Sequence, residues 1–332
     1  MVPSPLSELR ECAHVVSLAL TTPFRGLTQR EAIIFDSPRG PSEWSPFVEY
    51  DDPEAALWLA SAIEDGWQDS TLPDPPASIR VNGTIPAVSP QEATTLITEA
   101  GFPHTVKVKV GGPTSSLDED HARVQAVRAA LGPTGRIRLD ANGAWALDEA
   151  EHAIRLMEHC DIDYVEQPVE SLADMAVLRT RMSEIGIGLA ADESIRRWAD
   201  LEEVIALGAA DIVVIKVQPL GGLRRAHDTI KKAHAAGLQV VISSALETSV
   251  GIYHAATLQG FLESQSPHAL DAGLGTVSFL SDDVVESPLR AHGGKLSVTK
   301  PRLDQGALTR LRAPKDREQW WHARLERCFA LL

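Results

Sequence analysis

Cysteine is scarce in this chain. Cys12, Cys160 and Cys328 are the three present, far apart and with no CxxC pair, so their spacing indicates neither a disulfide framework nor a zinc site. A reducing cytoplasm is the expected compartment. Basic residues are outnumbered, 31 against 46 acidic, and the net charge of −15 argues against nucleic acid or an anionic membrane surface as partner. Long apolar runs are missing too. The one signal-like stretch, AHVVSLAL at 13–20, has no basic start or clean small-residue cleavage site and is too short to span a bilayer. The eleven histidines form no HExxH, and GxSxG, GxxxxGK[ST] and GxGxxG are all missing. Serine hydrolysis and nucleotide-phosphate binding therefore have no motif, and the histidines read as ordinary.

What remains is a soluble, globular composition, 44% hydrophobic and 23% charged. The length suits a barrel of about 250 residues with something attached. At 69–82 the sequence DSTLPDPPASIRVN puts three prolines within four positions, which neither a helix nor a central strand accepts. Before it lie strand-like runs at 15–20 and 31–36 and a helix-like run at 53–65. After it come eight short β-rich runs separated by amphipathic helical segments: SIRVNGTI, TVKVKVG, RIRLDA, DYVEQP, GLAADES, DIVVIKV, QVVISSA and HALDAGL. The segment 118–131, with its acidic first turn and Gly-Pro stop, typifies the helices. Strand–helix alternation at this rhythm implies parallel pairing and a closed (β/α)8-type barrel. The expected fold class is α/β: a (β/α)7β TIM-type barrel with an α+β capping domain. The expected boundaries are 1–78 for the cap, 79–283 for the barrel and 284–332 for a tail returning to the cap.

Taken alone, TVKVKVG at 105–111 is an amphipathic strand with Lys107 and Lys109 on one face. The neighbouring runs change that reading. Asp140, Glu166, Asp192 and Lys216 each end a β-run, with spacings 166−140 = 26, 192−166 = 26 and 216−192 = 24, about one βα unit each. Equivalent positions at carboxyl-terminal strand ends are where barrel enzymes keep their chemistry. Three carboxylates converging there repel one another by about 4 kcal/mol per pair at about 4 Å and an effective dielectric near 20. They need a cation. An all-oxygen donor set without histidine or cysteine favours Mg²⁺, with Mn²⁺ as substitute, over zinc or copper. Lys109 precedes the ladder by about one unit and Lys216 follows it, so the two lysines face each other across the metal. An ammonium beside a divalent cation and a second ammonium gives up its proton more readily and can serve as a base. Pro219-Leu220-Gly221-Gly222 reads as a tight turn rather than a phosphate cradle.

These residues, KVK at 107–109, DANGAW at 140–145, VEQP at 165–168, ADES at 191–194 and the lone Lys216, resemble the enolase superfamily, and within it the muconate-lactonizing type. That family pairs a lysine or histidine base with magnesium that stabilises an enediolate. Three further stretches resemble the o-succinylbenzoate synthases: FRGLTQREA at 24–32, SEWSPFVEY at 42–50 and SSALETSVG at 243–251. Trp44, where phenylalanine is expected, is a departure. The resemblance implies Asp140, Glu166 and Asp192 as Mg²⁺ ligands, Lys109 as general base, Lys216 as a protonated stabiliser on the opposite face and Lys107 as electrostatic support. It also implies a small-molecule carboxylate substrate, contacted by Arg25, Asn142, Ser243 and Ser244, with 24–27 and 44–47 closing over the barrel mouth. The implied reaction is syn dehydration in menaquinone biosynthesis. Racemisation of N-succinylamino acids, dipeptide epimerisation and a non-catalytic carboxylate-binding barrel remain alternatives. No protein partner can be read from the chain.

Overall fold

The computed structural model describes residues 5–24, 26–113, 115–195 and 199–332. The chain opens with α1 (Leu6–Glu11) and a three-stranded antiparallel sheet of β1 (Ala13–Phe24), β2 (Leu27–Phe35) and β3 (Ser42–Trp44). Helix α2 (Asp52–Trp67) follows, started by the Asp51 side chain accepting from Glu54 N at 2.9 Å and by Pro53 in its first turn. Trp44, Trp58 and Trp321 lie buried together in this layer, Trp44 and Trp321 edge to face at 5.3 Å. Trp321 belongs to the helix Lys315–Phe329, far along the chain, so the layer is built from both ends of the sequence.

Beyond the proline cluster, β4 (Ser78–Arg80) leads into the barrel. The barrel elements are β5 (Gly83–Ile85), α3 (Pro90–Glu99), β6 (Thr105–Lys109), α4 (Leu117–Leu131), β7 (Arg136–Asp140), α5 (Leu147–Met157), β8 (Ile162–Glu166), α6 (Leu172–Met182), β9 (Gly188–Ala191), α7 (Asp200–Leu207), β10 (Ile212–Lys216), α8 (Val217–Leu220), α9 (Leu223–Ala235), β11 (Gln239–Ser243) and α10 (Ser249–Gln265). The tail carries β12 (Ala291–His292), β13 (Lys295–Ser297), α11 (Gln305–Arg310) and α12 (Lys315–Phe329). Strands β5 to β11 pair in chain order as one parallel sheet. Their faces toward the helices are branched and apolar, forming the largest buried cluster, as a helix-covered parallel sheet requires.

Two of the eight β-runs differ from expectation. HALDAGL is no regular strand: Gly273 bridges Ser243 at the end of β11 and Ala272 bridges Val81 just before β5, both parallel. Gly273 N donates to Ile242 O at 2.8 Å and Asn82 N to Ala272 O at 2.9 Å. Closure is this short because the run packs against β11 without a side chain; a Cβ on Gly273 would stand 2.7 Å from Ser243 Oγ. SIRVNGTI is split. Its first part, β4, pairs antiparallel with β13 in a separate sheet, and Val81 N donates to Gly294 O at 2.9 Å before the chain enters the barrel at β5. Pro219 and Leu220 of the expected turn end the single helical turn α8, and Gly221 and Gly222 follow it.

Candidate active site

Strand parity sorts the barrel's two faces. Register pairs Lys107 with Arg138, Lys109 with Asp140, Asp140 with Glu166 and Lys216 with Ser243, and side chains two apart along a strand share a face. On that inner face, Tyr164, Ala190, Ile212, Val214 and Val241 make a small apolar plug, with the Arg138 guanidinium 4.9 Å from the Tyr164 ring centre. One residue layer above it, at the carboxyl ends, stand Lys109, Asp140, Glu166, Lys216 and Ser243.

Charges there are buried and interleaved. Asp140, Glu166 and Asp192 are almost inaccessible, at 1%, 1% and 5% exposure. Lys107 Nζ lies 3.0 Å from Asp140 Oδ2 and 2.8 Å from Glu166 Oε1; Lys109 Nζ lies 2.5 Å from Asp140 Oδ2; Lys216 Nζ lies 2.6 Å from Asp192 Oδ1. Burial alone would pull Lys107 down, but Asp140 and Glu166 outweigh it and hold the ammonium well above an ordinary lysine. Burial, and then the charge of Asp140, push the Glu166 carboxyl up to about 8. Burial opposes ionisation of Asp140 as well, yet Lys107 and Lys109 keep it far below the usual carboxylate range.

The donor set fits a hard divalent cation. Three buried carboxylates from successive strand ends supply only oxygen, the donor chemistry such an ion takes. Gln167, which follows Glu166 with a positive φ of 38°, aims this set. Its Oε1 accepts from the amides of Asp192 at 3.1 Å and Ser194 at 3.3 Å, while its Nε2 donates to Val169 O and Ser194 Oγ, both at 2.9 Å.

Above the charges is a cavity whose lining includes Lys107, Lys109, Asp140, Asp192, Lys216, Ser243 and Ser244. Phe47 closes it from the cap, under the Arg30 guanidinium at 4.3 Å. Ser244 Oγ is tied to Gly273 O at 3.1 Å and Thr276 Oγ1 at 2.8 Å. Asn142, at φ 49°, accepts from Lys109 Nζ at 2.8 Å and donates to Glu193 Oε1 at 2.9 Å, so it sits beside the ladder. Trp44 does not reach the mouth. It points into the cap core, donating to Ala55 O at 2.9 Å, because β3 alternates and its neighbour Ser45, not Trp44, turns toward Gln218 of the barrel. Arg25 lies outside the described residues. Gln167, Thr276, Gly273 and Arg30 all fall inside the motif stretches or beside them but carry no charge pattern that singles them out.

Residues 90–303 match the family described as enolase C-terminal domain-like, and residues 15–66 match the one described as enolase N-terminal domain-like. The chain is 40% identical to an o-succinylbenzoate synthase of Mycolicibacterium smegmatis over 98% of both chains. It is 42% identical to one of Thermobifida fusca over 93% of both. Among solved structures it is similar to the L-Ala-D/L-Glu epimerase of Bacillus subtilis, with a TM-score of 0.73 and 24% identity over 87% of this chain and 96% of that one. It is also similar to the muconate lactonizing enzyme of Pseudomonas fluorescens, with a TM-score of 0.74 and 20% identity over 91% and 98%. The last two likenesses speak for the fold alone. The chain belongs to the enolase superfamily.

Proposed function

We propose that this chain is an o-succinylbenzoate synthase that works with Mg²⁺, or Mn²⁺ in its place, in the cytoplasm. Its substrate is 2-succinyl-6-hydroxy-2,4-cyclohexadiene-1-carboxylate and its place is menaquinone biosynthesis. The observation that carries this reading is relatedness to curated synthases over nearly the whole chain. Lysines from β6 and β10 on opposite sides of one acid-lined cavity support it.

Asp140, Glu166 and Asp192 would hold the cation, which when bound supplies positive charge to the substrate carboxylate and so makes the neighbouring C–H more acidic. Lys109 Nζ, as an amine, takes the proton from C1. The electron pair shifts toward the carboxylate, the C6–O bond then breaks, and the departing hydroxide takes the proton back from Lys109 Nζ. Water leaves from the face at which the proton was removed, and the ring becomes aromatic. Lys216 stays protonated on the other face and stabilises the negative charge, with Lys107 adding positive charge below. Ser243, Ser244 and Asn142 border the substrate, while Phe47 keeps bulk water out from above.

Purified protein with Mg²⁺ should convert the cyclohexadiene carboxylate to o-succinylbenzoate, stop on chelation and resume when Mg²⁺ is restored. A folded, metal-loaded protein without turnover would overturn the assignment. The lysines from opposite strands also suit racemisation of an N-succinylamino acid or epimerisation of a dipeptide. Solvent deuterium entering such a substrate from both faces at a rate comparable with dehydration would favour that reading. Carboxylate binding with neither reaction would make the barrel a binding module.

A further inference from the structure

One set of residues that looks ordinary by spacing is gathered by the fold. His121 stands on α4, while His159 and Cys160 lie on the 3-10 turn Glu158–Cys160 between α5 and β8. His121 Nε2 and His159 Nε2 are 3.4 Å apart, with their rings perpendicular. Cys160 Sγ is 3.6 Å from His159 Nε2. All three donor atoms fall within 4.8 Å of one another.

Around a tetrahedral zinc with Zn–N near 2.0–2.1 Å and Zn–S near 2.3 Å, two nitrogens stand about 3.3 Å apart and a nitrogen and a sulfur about 3.6 Å apart. Two of the three separations here already have those values. The third closes with a side-chain adjustment of roughly an ångström. Hydrogen bonding explains the cluster less well, since two imidazole nitrogens share a proton in only some tautomer pairings and a thiol is a weak partner for either.

The turn is also held in place from outside the cluster. Arg128 Nε donates to Cys160 O at 2.8 Å and its Nη2 to Asp161 O at 2.9 Å, and Asp161 reverses the chain at φ 54°. Access is one-sided: Cys160 is buried, His121 half-buried and His159 exposed. The Gln125 amide nitrogen stands 3.4 Å from His159 Nε2. Because an amide's oxygen and nitrogen exchange on a flip, Gln125 could bring an oxygen to the same place.

We propose that His121, His159 and Cys160 form a second metal site on the outer layer of the barrel, taking a borderline-soft divalent cation such as zinc, with Gln125 or water in the fourth position. The imidazoles bind as neutral ligands and the thiol gives its proton to solvent, so each ion bound releases one proton and moves no electron. The site would pin α4 to the turn that feeds β8. It differs from the ladder in chemistry, sulfur and nitrogen against oxygen, so the two select different ions.

Full-length protein, chelator-stripped and then saturated with Mg²⁺ to fill the oxygen-lined site, is titrated with Co²⁺. One further equivalent should bind with the intense visible bands of a tetrahedral site and a sulfur-to-cobalt charge-transfer band in the near ultraviolet, and Zn²⁺ should bleach both. Cys160→Ser should remove the charge-transfer band. His159→Ala, at an exposed position, should weaken Co²⁺ at least tenfold with the far-ultraviolet dichroism unchanged, and it decides the matter even where Cys160→Ser does not fold. Only octahedral spectra, a charge-transfer band that survives Cys160→Ser, or undiminished affinity in His159→Ala would overturn the site.

Discussion

Two of the places where this molecule buries charge, the barrel rim and the seam between cap and barrel, satisfy it differently. At the barrel rim, Asp140, Glu166 and Asp192 are held by the ammonium groups of Lys107, Lys109 and Lys216 beside a cavity. At the seam between cap and barrel, the charges are met mainly by backbone. Arg30 donates to the carbonyls of Ser45, Ala245 and Leu246. Glu43 accepts from Thr248 N, from Thr248 Oγ1 at 2.6 Å and from Gly251 N at 3.0 Å, and Glu247 accepts from Ala245 N at 2.6 Å. Backbone partners cannot leave without unfolding, so the seam is a clamp. Side-chain partners facing a cavity can be exchanged for a cation or a substrate, so the rim is where chemistry fits.

The comparison breaks most sharply at the lysines. Lys109→Ala and Lys216→Ala should each lower kcat/KM for dehydration by about 10²–10⁴-fold while leaving thermal unfolding close to wild type. Retention of activity in Lys109→Ala would remove the proposed base. Arg30→Ala should show the reverse pattern. It removes the guanidinium that faces Glu43 and Glu247 and that meets the carbonyls of Ser45, Ala245 and Leu246, at a cost of about 3–5 kcal/mol, read as a drop in denaturant midpoint. An unchanged midpoint would mean that the seam is not a clamp.

A finer test uses pH. Burial and then Glu247 push the Glu43 carboxyl up to about 7, so the folded state keeps a proton that the unfolded chain gives up near 4.5. That contribution to stability is full below the lower value and is lost as pH rises through the upper one. Glu43→Gln, which imitates the neutral acid, should therefore lose less stability than wild type between about pH 4.5 and 7. Parallel stability profiles would contradict this. The smallest effect belongs to Trp44→Phe. It removes the bond to Ala55 O and thins the contact with Trp321, costing about 1–2 kcal/mol with kcat untouched, because Trp44 faces the cap core.

Much of the rim is legible in the sequence. A strand repeats every two residues and a βα unit about every 26, so a lone acid at the end of each of three successive β-runs marks a ring position without any long-range knowledge. Gln167 is visible there only as part of VEQP, since a buried amide that aims two backbone N–H groups leaves no charge pattern. The seam is not legible at all. Glu43 and Thr248 meet across 205 residues, and no local period links a cap strand to the start of a barrel helix.

Trp44 is misplaced by sequence reasoning for a related reason: alternation along β3 sets which residues share a face, but which face meets the barrel depends on where α2 and α12 pack. His121 and His159 are 38 residues apart and occupy unmatched points of their βα units, so spacing dismisses what proximity assembles.

The sequence by itself determined the parallel barrel, the order of its strands and the row of acids and lysines at their ends, because these follow from periodicities of two and of one βα unit. Tertiary structure alone decided how the barrel closes through Ala272 and Gly273, which side of the cap looks inward, which lysine meets which carboxylate, and which distant histidines share a thiol. Those outcomes depend on the packing of surfaces remote in sequence, where the energy lies in contacts that no local pattern encodes.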